Sequence, residues 1–193
     1  MDIIELPEKI MLGKEPDVIM TGGVWIAGGS IRSWFNGEET PDIDVFAKDE
    51  KSMNLFIQEN QLKNLVSKSA TTETYRRGGD IVQAIRLYYD SVENLLDSFD
   101  YTICQFAWDN DKIYSTMEAV VATLRKHLAV HKVQPGYEVD SLRRAFKYFD
   151  KGYKPCLGTL QGLALSFSGI EKEVINKQVE LSPGGGKRIV KWD

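Results

Sequence analysis

The stretch from Val24 to Phe46, VWIAGGSIRSWFNGEETPDIDVF, constrains the fold more than any other part of the chain. It opens on a compact apolar run, Val24-Trp25-Ile26-Ala27, with the length and composition of a buried strand. Gly28-Gly29 stops that run, and Ser30 stands where an N-cap would start a short helix from Ile31 to Asn36, closed by Gly37. Pro41 ends the next loop. A second strand is then expected over Ile43 to Phe46, in which Asp42 and Asp44 alternate with apolar neighbours and so share one face.

Two aspartates one residue apart offer the hard oxygen ligands that Mg²⁺ or Mn²⁺ prefers, as in two-metal transfer of a nucleotide α-phosphate to a hydroxyl. The glycine turn offers backbone N–H groups and the positive end of a helix to a triphosphate, with no Cβ atoms in the way. Singly, each pattern is commonplace: one is an ordinary tight turn, the other a solvated strand edge. Their combination at one spacing is the informative feature.

That combination resembles the head motif of CCA-adding enzymes and bacterial poly(A) polymerases, members of the DNA polymerase β-like nucleotidyltransferase superfamily. Their motif runs from an apolar strand through GG and x-V-R-D-x-L-L-G to D-x-D. The chain keeps the strand, both glycines, an apolar residue at Ile31, Arg32, Gly37 and the twelve residues between Gly29 and Asp42; Ser33 replaces the acid. A second stretch, Asp97 to Ala107, is similar to the family's R-R-D-F-T-x-N-A block. Asp100, Tyr101, Thr102, Ile103 and Ala107 align there, and Ser98-Phe99 replaces the two arginines. A third, Arg144-Ala145-Phe146-Lys147-Tyr148, resembles the R-A-x-R-F helix that follows the head.

The resemblance implies an α+β fold, a mixed β-sheet backed by helices, forming a nucleotidyltransferase head over residues 1–130. A small helical extension with a basic flexible tail would occupy 131–193. It implies Asp42 and Asp44 as metal ligands, with Asp100 joining them or orienting the sugar; Glu73, in a β-rich run between the two blocks, is the lesser candidate for a third carboxylate. Gly28, Gly29 and Ser30 would hold the β- and γ-phosphates, and Arg32 would support the loop or the triphosphate. Arg144 and Lys147 would face the nucleotide. The implied reaction moves a nucleoside monophosphate from an NTP to an acceptor hydroxyl and releases pyrophosphate, with Mg²⁺ or Mn²⁺ as cofactor.

The remaining pattern is coarser. Residues 3 to 13 suggest a short amphipathic helix and Lys51 to Leu62 another, while Ala70 to Arg76 and Ile81 to Tyr89 form a hairpin around Arg77-Gly78-Gly79-Asp80. Ser91 caps a helix through Asp97, and a strand from Tyr101 to Trp108 ends in a turn at Asp109-Asn110-Asp111. From Ser115 onward helices are expected at 117–128, 138–151, 156–167 and 169–178, with a break at Ser182 to Gly186. Arg144, Lys147 and Lys151 share one helical stripe, and Arg76 and Arg77 on the hairpin are further cations for a triphosphate or an acceptor. His127 and His131 lack a third ligand nearby, and Trp25 and Trp34 read as core.

Composition is that of an ordinary soluble, cytoplasmic protein, with 42% hydrophobic and 27% charged residues. No apolar run reaches the roughly 20 residues of a membrane span, and Cys104 and Cys156 lack the spacing of a zinc site. The net charge of −4 divides unevenly: residues 125–154 carry eight basic and three acidic residues, and residues 1–124 sum to −10. The head subtype that the resemblance implies, together with this basic segment, makes an RNA end the expected acceptor. Only about 60 residues follow the head, where the tRNA-maturing relatives have long helical regions, so a complete CCA enzyme is not expected. Nucleotidylation of a protein or a small molecule, and a catalytically inactive nucleotide-binding regulator, are the rival functions.

Overall fold

The computed structural model describes residues 1–40 and 42–181, so the expected break and basic tail beyond Leu181 lie outside the described residues. The chain divides into two compact units, Met1–Arg125 and Lys126–Asp193.

The first unit is a mixed sheet of eight strands: β1 (Ile3–Leu6), β2 (Val24–Ala27), β3 (Asp42–Ala47), β4 (Leu65–Lys68), β5 (Thr72–Arg77), β6 (Asp80–Tyr88), β7 (Phe106–Trp108) and β8 (Ile113–Thr116). Their order is β1-β8-β7-β2-β3-β6-β5-β4. Among the described residues of this sheet only the β3–β6 pair is parallel, reached by a crossover that includes helix α2 (Glu50–Glu59). Helices α1 (Gly29–Asn36), α3 (Val92–Asp97) and α4 (Met117–Leu124) complete the unit. This is the expected α+β architecture, a large mixed sheet backed by helices.

Strand parity sorts the sheet into two faces. Val24, Ile26, Ile43, Val45, Val82, Ala84, Phe106, Trp108 and Ile113 pack with Ile31, Trp34 and Phe35 of α1 and Met53 and Phe56 of α2 in the main core. Trp34 meets Trp108 edge to face at 5.4 Å, as its expected core role requires. The alternate residues point the other way, where a smaller cluster forms from Ala27, Phe46 and Ala107 under Val92, Leu95 and Leu96 of α3. Ser91 caps α3 as anticipated, its Oγ accepting from the Asn94 N–H at 3.3 Å.

Several expectations are corrected. Residues 3–6 form an edge strand, not an amphipathic helix, because Ile3 to Leu6 pair in register with Thr116 to Ile113. The same pairing makes Ile113–Thr116 a strand; the following helix starts at Met117 as expected but ends at Leu124, and His127–Leu128 is a short strand. Over Tyr101–Trp108, Thr102–Cys104 is a buried 3₁₀ turn and only Phe106–Trp108 is strand. Edge strand β4 was not anticipated; all four of its residues are exposed, so it lacks an apolar alternation.

In the second unit, α5 (Glu138–Asp150), α6 (Leu157–Ser166) and α7 (Lys172–Leu181) accompany a short parallel pair, β9 (His127–Leu128) and β10 (Lys154–Pro155). Buried Tyr148 and Tyr153 meet edge to face at 6.2 Å. Glu138 joins α5 to α7 by accepting from Gln178 at 2.7 Å, and also accepts from the Gly136 N–H at 3.0 Å. Among the described residues no helix is long and apolar enough to cross a membrane.

Candidate active site

The glycine turn is built by backbone geometry. Gly28 lies at φ 81°, ψ −135°, a region closed to residues with a Cβ, and its N–H donates to the Phe106 carbonyl at 2.8 Å. A Cβ there would meet the Phe99 ring at 3.3 Å. Gly28 rather than Ser30 is therefore the N-cap of α1; Ser30 sits in the first turn, buried, with its Oγ donating to the Ala27 carbonyl at 3.3 Å. At the other end Gly37, at φ 70°, closes the helix, and the Glu38 N–H donates to the Ser33 carbonyl at 2.9 Å.

Beside that turn, β2 runs antiparallel to β3 with Ile26 opposite Val45, so Gly28-Gly29 leave the sheet next to the strand start that carries Asp42 and Asp44. Both carboxylates are half-buried on the sheet face opposite the main core. Among the described residues no three His, Cys, Asp or Glu side chains gather as a metal site. Asp42 and Asp44 bring two carboxylates to one face of β3. That set fits Mg²⁺, which is commonly held by one or two carboxylates plus waters and substrate phosphates.

The second block joins the first through Phe99. Its ring lies against Gly28 and meets Phe46, two residues beyond Asp44, edge to face at 5.8 Å. Asp100 follows, 4% exposed, and Arg32 on α1 is 1% exposed; both are engaged in polar or electrostatic interactions. The Arg32 Nη2 donates to Ser33 Oγ at 3.3 Å, and a Glu38 carboxylate oxygen stands 3.9 Å from it. A carboxylate therefore stands near this arginine although the next residue is serine. Arg32 lies beneath the turn, its Nη2 3.9 Å from where a Cβ on Gly29 would stand.

Glu73 does not join the site. It is opposite Ala84, which is opposite Val45, so strand parity places it on the main-core face, away from Asp42 and Asp44. There it accepts from Lys68 at 2.7 Å, Arg86 at 2.7 Å and the Tyr75 hydroxyl at 3.0 Å. The Lys68 ammonium, followed by Arg86 and Tyr75, outweighs burial and holds its carboxyl at about 2. The same rows bring the expected cation Arg76 and two residues without a sequence signal, Gln83 and Thr74, to the carboxylate face: Asp44 is opposite Gln83 and Gln83 opposite Thr74, while Asp42 is opposite Ile81 and Ile81 opposite Arg76. The alternation in Thr72 to Arg76 assigns that face only once the pairing is known. Arg77 has the other parity and donates to the Asp17 carbonyl.

Arg144 and Lys147 lie on α5 of the second unit, Arg144 half-buried and Lys147 exposed. The exposed thiol of Cys156 in that unit lies 3.5 Å from the Thr159 hydroxyl, and Thr159 first and then His127 pull it down to about 6. A groove of about 380 Å³ lined by Met20 to Trp25 and Asp109 to Asp111 sits at the start of β2, the end remote from the glycine turn.

Comparison with known proteins decides the family. The model of the Gabija anti-defense 2 family matches residues 6–126, the greater part of the chain. The chain belongs to the Gabija anti-defense 2 family. A relative, the Gabija anti-defense 2 protein of Bacillus phage SPbetaL7, is 27% identical over 135 residues, covering 66% of this chain and 33% of its own length. The chain thus spans about a third of that relative. Solved structures share the fold: a CCA-adding enzyme in complex with ATP (TM-score 0.59, 16% identity, 82% of this chain and 43% of that one). The Thermotoga maritima CCA-adding enzyme complexed with tRNA is similar (TM-score 0.56, 16% identity, 82% and 42%). This member of the Gabija anti-defense 2 family therefore has the fold of tRNA nucleotidyltransferase heads.

Proposed function

We propose that the chain is a metal-dependent nucleotidyltransferase that moves a nucleoside monophosphate from an NTP to a hydroxyl at an RNA end, and that this activity serves the anti-defence role for which its family is named. The observation that carries it is the convergence of three separated stretches: the Gly28-Gly29 turn, the Asp42/Asp44 strand and the Phe99-Asp100 segment.

The backbone N–H groups at the start of α1 hold the β- and γ-phosphates. Asp42 and Asp44 hold Mg²⁺ or Mn²⁺, which when bound supplies charge neutralisation for the phosphates. The acceptor oxygen forms a bond to the α-phosphorus, the bond from that phosphorus to the β-bridging oxygen breaks, and pyrophosphate leaves. The hydroxyl proton passes to a carboxylate of the β3 pair. Asp100, beside the Phe99 that lies against the turn, is the residue of this block that orients the sugar, and Arg32 braces the turn from below.

A labelled-NTP assay with Mg²⁺ or Mn²⁺ and total RNA tests this. Label should enter an acid-insoluble, RNase-sensitive product, and Asp42→Asn or Asp44→Asn should lower the rate on the order of 10³-fold while leaving the fold intact. NTP binding without transfer to any acceptor would identify an inactive nucleotide-binding regulator instead. RNase-resistant, acid-soluble label would point to a small molecule.

A further inference from the structure

We propose that Arg76, with Gln83 and Thr74, forms an anion subsite on the acceptor side of the carboxylates and holds a phosphodiester of the acceptor strand. This rests on the nucleotidyltransferase reading above and deepens it by assigning the acceptor its place and chemistry.

The two flanks of β3 differ. On one side stand β2 and the glycine turn, which take the phosphates that depart as pyrophosphate. In-line displacement requires the attacking and leaving oxygens on opposite sides of the α-phosphorus. The acceptor hydroxyl therefore approaches from the other flank, over β6 and β5. Residues presented there on the carboxylate face are fixed by register: Gln83 and Thr74 in the row of Asp44, Ile81 and Arg76 in the row of Asp42. Two strand spacings, roughly 10 Å, separate the backbones of β3 and β5, which suits a group that binds one residue back from the reacting hydroxyl.

Arg76 has the properties of a phosphate ligand. It is exposed, and among the described residues its guanidinium has no hydrogen bond or ion pair. Its neighbour Arg77, of opposite parity, is committed to Asp17. A guanidinium binds a phosphate through two parallel hydrogen bonds, and the half-buried Gln83 and Thr74 beside it add neutral donors and acceptors. A protein side chain or a small alcohol as acceptor has no need of a cation at this position.

The test uses the full chain in Mg²⁺ buffer and two titrations: a fluorescent single-stranded RNA oligonucleotide and a fluorescent ATP analogue. Arg76→Ala should weaken RNA binding about tenfold, lower the slope of log affinity against log salt by about 1, and leave ATP affinity unchanged. Arg76→Lys should recover part of the loss, because it keeps the charge without the fork. Equal RNA affinity in wild type and Arg76→Ala, or no RNA binding by the wild type, overturns the proposal. A loss of ATP affinity instead overturns it in favour of a subsite for the substrate's own triphosphate. Failure of the nucleotidyltransferase reading shows separately, as a wild type that does not bind ATP at all.

Discussion

At the scale of single residues, one backbone angle and one buried charge have measurable consequences. Gly28 combines a positive φ with a ring edge where a Cβ would go. Gly28→Ala should destabilise the protein by about 1–3 kcal/mol in chemical denaturation and weaken nucleotide binding, since the turn and Phe99 must both move. Glu73 makes a pH prediction. Its folded carboxyl sits at about 2 against an ordinary 4.5, so its stabilising contribution is complete above about 4.5 and fades as pH falls toward 2. Lys68 is largely exposed, so solvent weakens its share of this network. Glu73→Gln should therefore cost about 1–3 kcal/mol at pH 7, with the gap from wild type closing in denaturation curves run between pH 4.5 and 2.

At the scale of elements, side-chain clamps hold what regular structure does not. Asn60, buried at the end of α2, donates to the Ile19 and Phe56 carbonyls at 2.8 and 3.0 Å and accepts from the Ile19 N–H at 2.8 Å. Asn60→Ala orphans these groups. It should cost about 2–3 kcal/mol, and hydrogen exchange should show the Ile19 amide opening before the strands. Elements differ in how far their causes are local, and this sets what the sequence revealed. The β2-turn-α1-β3 run is specified by neighbours: an apolar strand, a glycine that alone fits its angle, a capped helix and an alternating strand. The β5–β6 hairpin is equally local, closed by Gly78 at φ 60°. By contrast β1 depends on β8, more than a hundred residues away, and neither carries a periodicity strong enough to stand alone. The same holds for the site. Asp42 and Asp44 announce themselves by spacing, whereas Glu73 and Arg76 could be placed on their faces only through the register of β6, which decides between them.

At the scale of the molecule, charge and packing follow the division into units. Residues 1–125 hold twelve basic and twenty-one acidic residues, a net −9; residues 126–193 hold twelve and seven, a net +5. Both apolar clusters of the sheet lie within the first unit. A fragment of residues 1–125 should fold alone and unfold in one cooperative transition; coincident melting by far- and near-ultraviolet circular dichroism checks this, and a fragment with secondary structure but no near-ultraviolet signal would contradict it. The alternation of β3, β5 and β6 has a further consequence. Because one set of positions packs the main core while Gln83, Thr74 and Arg76 of the interleaved set do not, inheritance can rewrite those three without disturbing that core. On the proposed function, a lineage in a contest between attacker and host could vary them to change its target while Asp42, Asp44 and the packed Phe46 keep the chemistry and the scaffold.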